Sequence, residues 1–186
     1  MDMICEHIND ISSEMLKKGY RIIVWGDMFL YRYSHYNPKN IYTCNAPSPE
    51  AEQYMLEHLN KQIVIADWQY EASKFPVETV SVFKEKGFDC LLCPWDRSIS
   101  RSCSSLSTVE DQGIMGFMHT TWHTLSSGMP YVLIMAVGGY ENIKNIEALD
   151  FGSICTRTAA LLRKVMPVDG AYEKSGWSKL EVSYNW

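Results

Sequence analysis

Four short apolar runs, each followed by a tryptophan and polar residues, constrain the fold more than any other feature of the sequence. They contain four of the six tryptophans in the 186-residue chain, and they span 22–27, 63–70, 90–96 and 113–123. Apolar runs without alternation are typical of strands that are covered on both faces, as in a parallel sheet. Helix-like stretches separate the runs. The sequence therefore predicts an α/β fold in which strands and helices alternate.

The boundaries of these elements follow from periodicity and from capping residues. The strands are expected at 21–28, 62–67, 88–93 and 113–118. The helices are expected at 2–18, 49–60, 76–87, 98–108, 125–138 and 143–165. Ser48 is expected to cap the second helix, with Pro49 in its first turn. Helical spacing predicts an apolar stripe on the first helix, made of Ile4, Ile8, Ile11 and Met15.

A long loop, 29–48, carries four tyrosines at positions 31, 33, 36 and 42. Loops of this length inside a compact domain are usually functional or mobile. Two interpretations are open. The tyrosines form the lip of a pocket, or they cover an edge of the sheet.

Composition and charge exclude several classes of protein. The net charge is −5, and no cluster of Lys and Arg is dense enough to follow nucleic-acid phosphates. Neither a signal peptide nor a membrane-spanning stretch is recognisable, so no membrane partner is expected. The six cysteines do not resemble a disulfide framework, and reduced thiols in the cytoplasm are expected; they are Cys5, Cys44, Cys90, Cys93, Cys103 and Cys155.

The number of strand–helix units raises a question of closure. Four units cannot close an eight-stranded barrel, a fold that needs about 200 residues or more. A free four-stranded sheet would leave backbone groups unpaired at both edges. We therefore expect 1–142 to be half of a (β/α) barrel, a half TIM barrel of four parallel strands. A homodimer or a complementing N-terminal half-barrel would complete it. The two alternatives are a small open α/β sheet and a piece of a longer protein. Residues 143–186 are expected to pack on the same domain as a helix and an aromatic tail.

The tryptophans mark the expected ligand site. In parallel α/β folds the carboxyl ends of the strands carry the site. Indoles at several of these ends would form an apolar floor for a flat ligand such as a sugar ring. The competing interpretation is that the indoles only pack the rim of a barrel. Candidate ligand-binding residues are Trp25, Asp27, Asp67, Trp68, Tyr70, Trp95, Asp96, Trp122 and His123.

With these strand ends identified, the chain resembles the C-terminal half of the catalytic barrel of family 20 glycoside hydrolases, the β-N-acetylhexosaminidase-like enzymes. The similarity covers roughly 2–140. The segment 19–28 looks like the family's fifth strand, 66–68 like its sixth and 116–122 like its eighth. The resemblance implies that the tryptophans line an N-acetylglucosamine pocket, so an amino sugar or oligosaccharide is the expected ligand.

The chain departs from the family at the positions that carry catalysis. In the family an Asp–Glu pair ends the fourth strand, which would precede this chain. The seventh strand usually ends in Tyr-x-Asp, and here only Asp96 has a counterpart. Thr124 stands where the family has a sugar-binding glutamate, with His123 as a possible substitute. The resemblance thus implies the wall of a sugar pocket without the catalytic pair.

Few of the remaining residues suggest other chemistry. Substrate-assisted glycosidases need one carboxylic acid as proton donor, and Asp27 is the best candidate because Gly26 would allow the backbone to approach a ligand. His119 and His123 lack a third ligand at metal-binding spacing, so no metal is expected. Cys90 and Cys93 are expected in the core. No cofactor is expected. The resemblance therefore implies a hexosaminidase-like glycoside hydrolase that is inactive alone. The alternatives are a non-catalytic sugar-binding half-barrel that self-associates, and an α/β enzyme of another class whose tryptophans are structural.

Overall fold

The computed structural model describes residues 2–70, 77–95 and 113–122, together with isolated positions between 132 and 160. The helices are α1 (Asp2–Lys17), α2 (Pro49–His58) and α3 (Glu78–Glu85). The strands are β1 (Ile23–Trp25), β2 (Val64–Asp67), β3 (Asp89–Leu92) and β4 (Gly116–Phe117). The helices expected at 98–108, 125–138 and 143–165 and the aromatic tail lie outside the described residues, apart from those isolated positions.

The strands form one parallel sheet in the order β1-β2-β3-β4. The predicted α/β fold with four parallel strands and flanking helices is therefore confirmed. Successive right-handed crossovers in one direction bring their helices to the same face of the sheet. The register places Val24 beside Ile65 and Ile65 beside Cys90. These three side chains point to the helix-covered face, because side chains at paired positions of a parallel sheet share a face.

The core lies between that face and the helices. Sheet residues and helix residues belong to one buried cluster, which includes Ile65, Cys90, Leu92, Met55, Leu59, Val80 and Phe83. Full burial of each large apolar side chain contributes about 1.5–3 kcal/mol relative to exposure. The core therefore fixes the sheet on the helices and holds the carboxyl ends of its strands in place.

Helix α1 is present as predicted, but its buried face differs from the expected stripe. Cys5 and Ser12 are buried, whereas Ile4 and Ile11 are exposed. Asn9 explains the difference, because its Nδ2–H donates to the carbonyl of His58 and its Oδ1 accepts from the N–H of Asn60. Both bonds join α1 to the end of α2, and they turn the Cys5–Ser12 side of the helix toward the core.

Helix α2 follows the prediction closely. Ser48 accepts a 3.2 Å hydrogen bond from the N–H of Ala51, and Pro49 opens the helix. Ala51, Met55 and Leu59 are buried. None of the helices in the described part of the chain is both long enough and apolar enough to cross a bilayer.

The expectation that strands are covered on both faces holds for β2 and fails for β1. All four β2 residues are buried, but Ile23 and Trp25 of β1 are exposed. Within the described residues β1 pairs only with β2. In this part of the chain β1 is thus an edge strand, and Ile23 and Trp25 are exposed on one face of it. The first and fourth strands are also shorter than predicted, since ladder pairing stops at Trp25 and Phe117.

The described cysteines are buried and free of disulfides. Cys90 lies in β3 and Cys93 one residue beyond it. Burial raises the pKa of the Cys44 and Cys90 thiols to about 12. These thiols therefore stay protonated at neutral pH and pack as small apolar groups.

Candidate functional site

Four aromatic residues meet at the carboxyl edge of the sheet, and we call them the aromatic cluster: Trp68, Tyr70, Trp95 and Trp122. The ring centroids of Trp68 and Tyr70 are 5.1 Å apart, and those of Tyr70 and Trp95 are 5.0 Å apart. The Nε1–H of Trp122 donates a 2.9 Å hydrogen bond to Oη of Tyr70. Trp122 is 66% exposed. The cluster therefore presents aromatic surface to solvent beside three neighbouring strand ends.

Tyr70 stands at the centre of the cluster because its hydroxyl joins three strand ends. Its Oη lies 2.7 Å from Oγ1 of Thr120. The Thr120 hydroxyl donates in turn to the carbonyl of Pro94 at 2.9 Å, and the Thr120 N–H donates to the same carbonyl. A chain of donors thus runs from Trp122 through Tyr70 and Thr120 to Pro94. The residues after β2, β3 and β4 are held together by it.

Asp27 lies beneath the edge of the cluster and is only 7% exposed. Its Oδ1 accepts a 2.7 Å hydrogen bond from Nε1–H of Trp68, and its Oδ2 accepts a 2.6 Å bond from Nδ2–H of Asn45. The N–H of Asn45 also donates to the backbone carbonyl of Asp27 at 2.7 Å. Both carboxylate oxygens are therefore bonded to groups of the protein.

Gly26 has a packing role that the sequence did not suggest. A Cβ at this position would lie 2.7 Å from Cγ2 of Ile65 and 2.9 Å from the ring of Phe83. A side chain would clash at this position because the backbone directly after β1 packs tightly against the core. The expectation that Gly26 lets a ligand approach the backbone stays a prediction beside this packing role.

Asp67, at the end of β2, is 1% exposed. Its carboxylate accepts hydrogen bonds from Oγ1 of Thr79 at 2.5 Å and from Nε2 of Gln69 at 3.0 Å. Burial raises the pKa of Asp67 to about 6, and the charge of Asp27 adds to the increase, while the two hydrogen bonds oppose it. Asp67 therefore ties the end of β2 to α3, and its role in binding a ligand stays a prediction.

The tyrosine loop reaches the site through its last residues. Gln69 accepts from the N–H of Thr43 at 2.7 Å and donates to its carbonyl at 3.1 Å. Asn45 contacts Asp27 as described above. Tyr36 and Tyr42 are buried in the core, whereas Tyr33 is exposed. The loop thus contributes core packing and two polar contacts at the strand ends, a role that neither interpretation of the sequence included.

The structure brings together some of the predicted site residues and leaves others apart. The residues that it brings together are Asp27, Trp68, Tyr70, Trp95 and Trp122. Trp25 is exposed at the end of β1, and in the described part of the chain its indole forms no ring contact or hydrogen bond with the aromatic cluster. Asp96 and His123 lie outside the described residues.

Sequence reasoning missed Asn45 and Thr120 as members of the site. Thr120 carried a usable signal, because it is a polar residue at the end of a predicted strand. Asn45 carried none, because its position depends on how the tyrosine loop folds back.

The arrangement provides aromatic faces and fixed hydrogen-bonding groups at one edge of the sheet. Such a surface suits stacking of a flat ligand more than acid–base chemistry, since Asp27 and Asp67 are both buried and bonded. Among the residues that the structure describes, no group of three or more His, Cys, Asp or Glu is arranged to hold a metal ion.

No model of a known protein family matches the chain, and no curated protein is significantly similar to it.

Proposed function

We propose that this chain forms the sugar-pocket wall of a glycoside hydrolase-like protein of the β-N-acetylhexosaminidase type. The observation that carries the proposal is the aromatic cluster at the carboxyl ends of the strands. The apolar face of a pyranose stacks on indole rings, and its hydroxyls take hydrogen bonds from polar groups at the rim. N-Acetylglucosamine, free or in an oligosaccharide, is the proposed ligand.

The strand order supports the proposed half-barrel. Doubly wound sheets reverse their strand order at a switch point, whereas barrels keep sequential order around the ring. The order β1-β2-β3-β4 has no reversal. The N–H of Val64 donates to the carbonyl of Ile22, so the backbone groups of Ile23 point away from β2. A second copy of the chain or a complementing N-terminal half would pair with this edge and cover the exposed Ile23 and Trp25.

The carboxylates favour a site that binds sugar and does not hydrolyse it unaided. A substrate-assisted glycosidase needs one acid within reach of the glycosidic oxygen. Asp27 has both oxygens bonded, and Asp67 is buried beneath the edge. The contacts of Asp27 suit a role in holding Trp68 better than a role as proton donor. Hydrolysis would therefore need an acid from outside this chain, and a non-catalytic sugar-binding protein is the second candidate.

Binding is tested by titrating the full chain with N-acetylglucosamine and following the affinity by calorimetry. Trp122→Ala removes an exposed indole from the aromatic cluster. Tyr20→Ala is the matched control, because Tyr20 is 62% exposed and precedes the amino end of β1. We expect Trp122→Ala to weaken binding about tenfold, since truncation of a stacked aromatic commonly removes more than 1 kcal/mol. Tyr20→Ala should bind like the wild type. Absence of wild-type binding up to high millimolar sugar would overturn the proposal.

Two further measurements test catalysis by this chain alone and closure of the sheet by a second copy. A chromogenic N-acetylglucosaminide should show no turnover with this chain alone. If the wild-type chain does show turnover and Asp27→Asn abolishes it, Asp27 would be the proton donor. Size exclusion at micromolar concentration tests whether the β1 edge pairs with a second copy of the chain. A monomer at all concentrations would argue against completion of the barrel by a second copy.

A further inference from the structure

Asn45 is a surface residue with an unusually direct connection to the site. The residue is exposed, yet its Nδ2–H donates to Oδ2 of Asp27 and its N–H donates to the carbonyl of the same residue. Two hydrogen bonds therefore hold Asn45 against Asp27 on the solvent side. Asp27 is left with its other oxygen, Oδ1, for the indole of Trp68.

The Asn45 side chain is not needed to hold the loop in place. Gln69 already binds both the N–H and the carbonyl of Thr43. The N–H of Ala46 donates to the carbonyl of Leu30 at 2.8 Å. These backbone bonds lie on either side of Asn45. Its amide therefore acts mainly on the Asp27 carboxylate.

The effect on Asp27 passes to Trp68. Hydrogen bonds to an ionised carboxylate are about twice as strong as those between neutral groups. A carboxylate that is held at one oxygen presents the other in a fixed direction. The Trp68 indole donates to Oδ1 of Asp27 and also packs against Tyr70. The direction of Oδ1 therefore sets how the indole lies within the aromatic cluster.

We propose that Asn45 is a positioning residue that, through Asp27, fixes the Trp68 indole in the orientation that receives the sugar. This inference rests on the proposed function of the aromatic cluster. It assigns the tyrosine loop a part in the site through an amide and not through its tyrosines. Asn45 itself need not touch the ligand.

The first arm of the test reads the Trp68 indole without any ligand. Asn45→Asp replaces the amide donor with an acceptor of nearly the same shape, and Trp68→Phe identifies the Nε1–H resonance in a ¹⁵N-labelled sample. We expect Asn45→Asp to move that resonance upfield. Without the amide donor the Asp27 carboxylate is no longer held in direction, so the hydrogen bond from the Trp68 indole to Asp27 weakens. Asn40→Asp is the matched control on the same loop. It makes the same chemical change at an exposed position and should leave the resonance in place.

The second arm measures affinity for N-acetylglucosamine in a double-mutant cycle. Asn45→Asp should weaken binding about threefold to tenfold in the wild-type background, the range expected for loss of one hydrogen bond. In the Trp68→Phe background, which keeps the ring but lacks the indole N–H, the same substitution should have no effect. A purely structural role for Asn45 would give equal losses in both backgrounds.

The outcomes are decisive. An unchanged Trp68 resonance in Asn45→Asp overturns the inference, and so does equal loss of affinity in both backgrounds. A shifted resonance with unchanged affinity also overturns it. If the wild-type chain binds no sugar, the proposed function fails, and the resonance alone decides whether Asn45 acts on Trp68.

Discussion

The indole of Trp68 donates a 2.7 Å hydrogen bond to Asp27, joining the residues that follow two neighbouring strands. The register explains why they meet. Trp25 pairs with Ala66, and Asp27 and Trp68 each come two residues later in the chain. Parallel pairing therefore brings the carboxylate and the indole to the same level above the sheet.

Trp68→Phe is expected to destabilise the fold. The substitution keeps an aromatic ring but leaves Oδ1 of Asp27 buried without its donor, which costs about 1–3 kcal/mol in the free energy of unfolding. Urea denaturation measures the change. Trp122→Phe is the control, because the Trp122 indole bonds Tyr70 at an exposed position. Equal losses in the two variants would contradict the buried role of the Asp27–Trp68 bond.

Asp67 makes stability depend on pH in a defined direction. Its pKa is about 6 in the folded chain against an ordinary value of 3.8. The folded chain therefore holds this proton more tightly than the unfolded chain does. As the pH rises from about 4 to about 6, the contribution of Asp67 to the free energy of unfolding falls, and above that range it is constant.

Asp67→Asn is expected to remove this dependence, because the amide is neutral at every pH and has nearly the same shape. Relative to the wild type, the variant should gain stability between pH 4 and pH 6, by up to ~3 kcal/mol for a shift of about two pKa units. Thermal unfolding at a series of pH values measures the difference. A difference that is constant across this range would show that Asp67 does not titrate there.

Glu52 anchors the tyrosine loop to α2. Its Oε2 accepts hydrogen bonds from the N–H of Tyr31, from Oγ of Ser34 at 3.0 Å and from Oη of Tyr36. Glu52→Ala leaves these donors without their acceptor, so we expect a loss of about 1–3 kcal/mol in the free energy of unfolding.

Chemical denaturation measures this loss, with Glu57→Ala as the matched control. Glu57 lies on the exposed side of the same helix, and its side chain bonds only Gln53 among the described residues. The control should change stability by less than about 0.5 kcal/mol. Similar effects of the two substitutions would mean that the loop is held by other contacts.

Tyr70→Phe is expected to weaken sugar binding. The substitution removes the hydroxyl that accepts from Trp122 and bonds Thr120, while the ring contacts with Trp68 and Trp95 remain. The exposed Trp122 indole is then free to rotate, so affinity for N-acetylglucosamine should fall about threefold to tenfold. Calorimetric titration measures it, with the exposed Tyr33→Phe as control. Unchanged affinity would mean that Trp122 does not need this tether.

The parts of the fold that local signals specify were predictable. Strand β2 is an unbroken apolar run, and α2 has a serine cap, a proline in its first turn and a buried stripe with the right period. The buried face of α1 was not predictable, because Asn9 turns the helix through contacts with residues about fifty positions away in the chain. Exposure of β1 also escaped prediction, since an apolar run does not reveal whether its strand lies at an edge.

The same distinction holds for the candidate site. Trp68, Tyr70, Trp95 and Trp122 were expected at strand ends because each follows an apolar run, and parallel pairing brings them to one edge of the sheet. In the described part of the chain Trp25 lies at the same edge without a ring contact or hydrogen bond to them, so parallel pairing alone does not decide which rings meet. The roles of Asp27 and Asn45 were not expected, because they depend on the path of the tyrosine loop back across the sheet.

By itself the sequence determined the alternation of strands and helices, the parallel pairing and the edge at which the aromatic residues gather. These features follow from apolar periodicity and chain connectivity, which act over a few residues. Only the tertiary structure decided which polar groups are bonded to one another. Hydrogen bonds such as Asn45–Asp27 and Asp27–Trp68 need atoms placed within a few tenths of an ångström, and that placement comes from packing across the whole core.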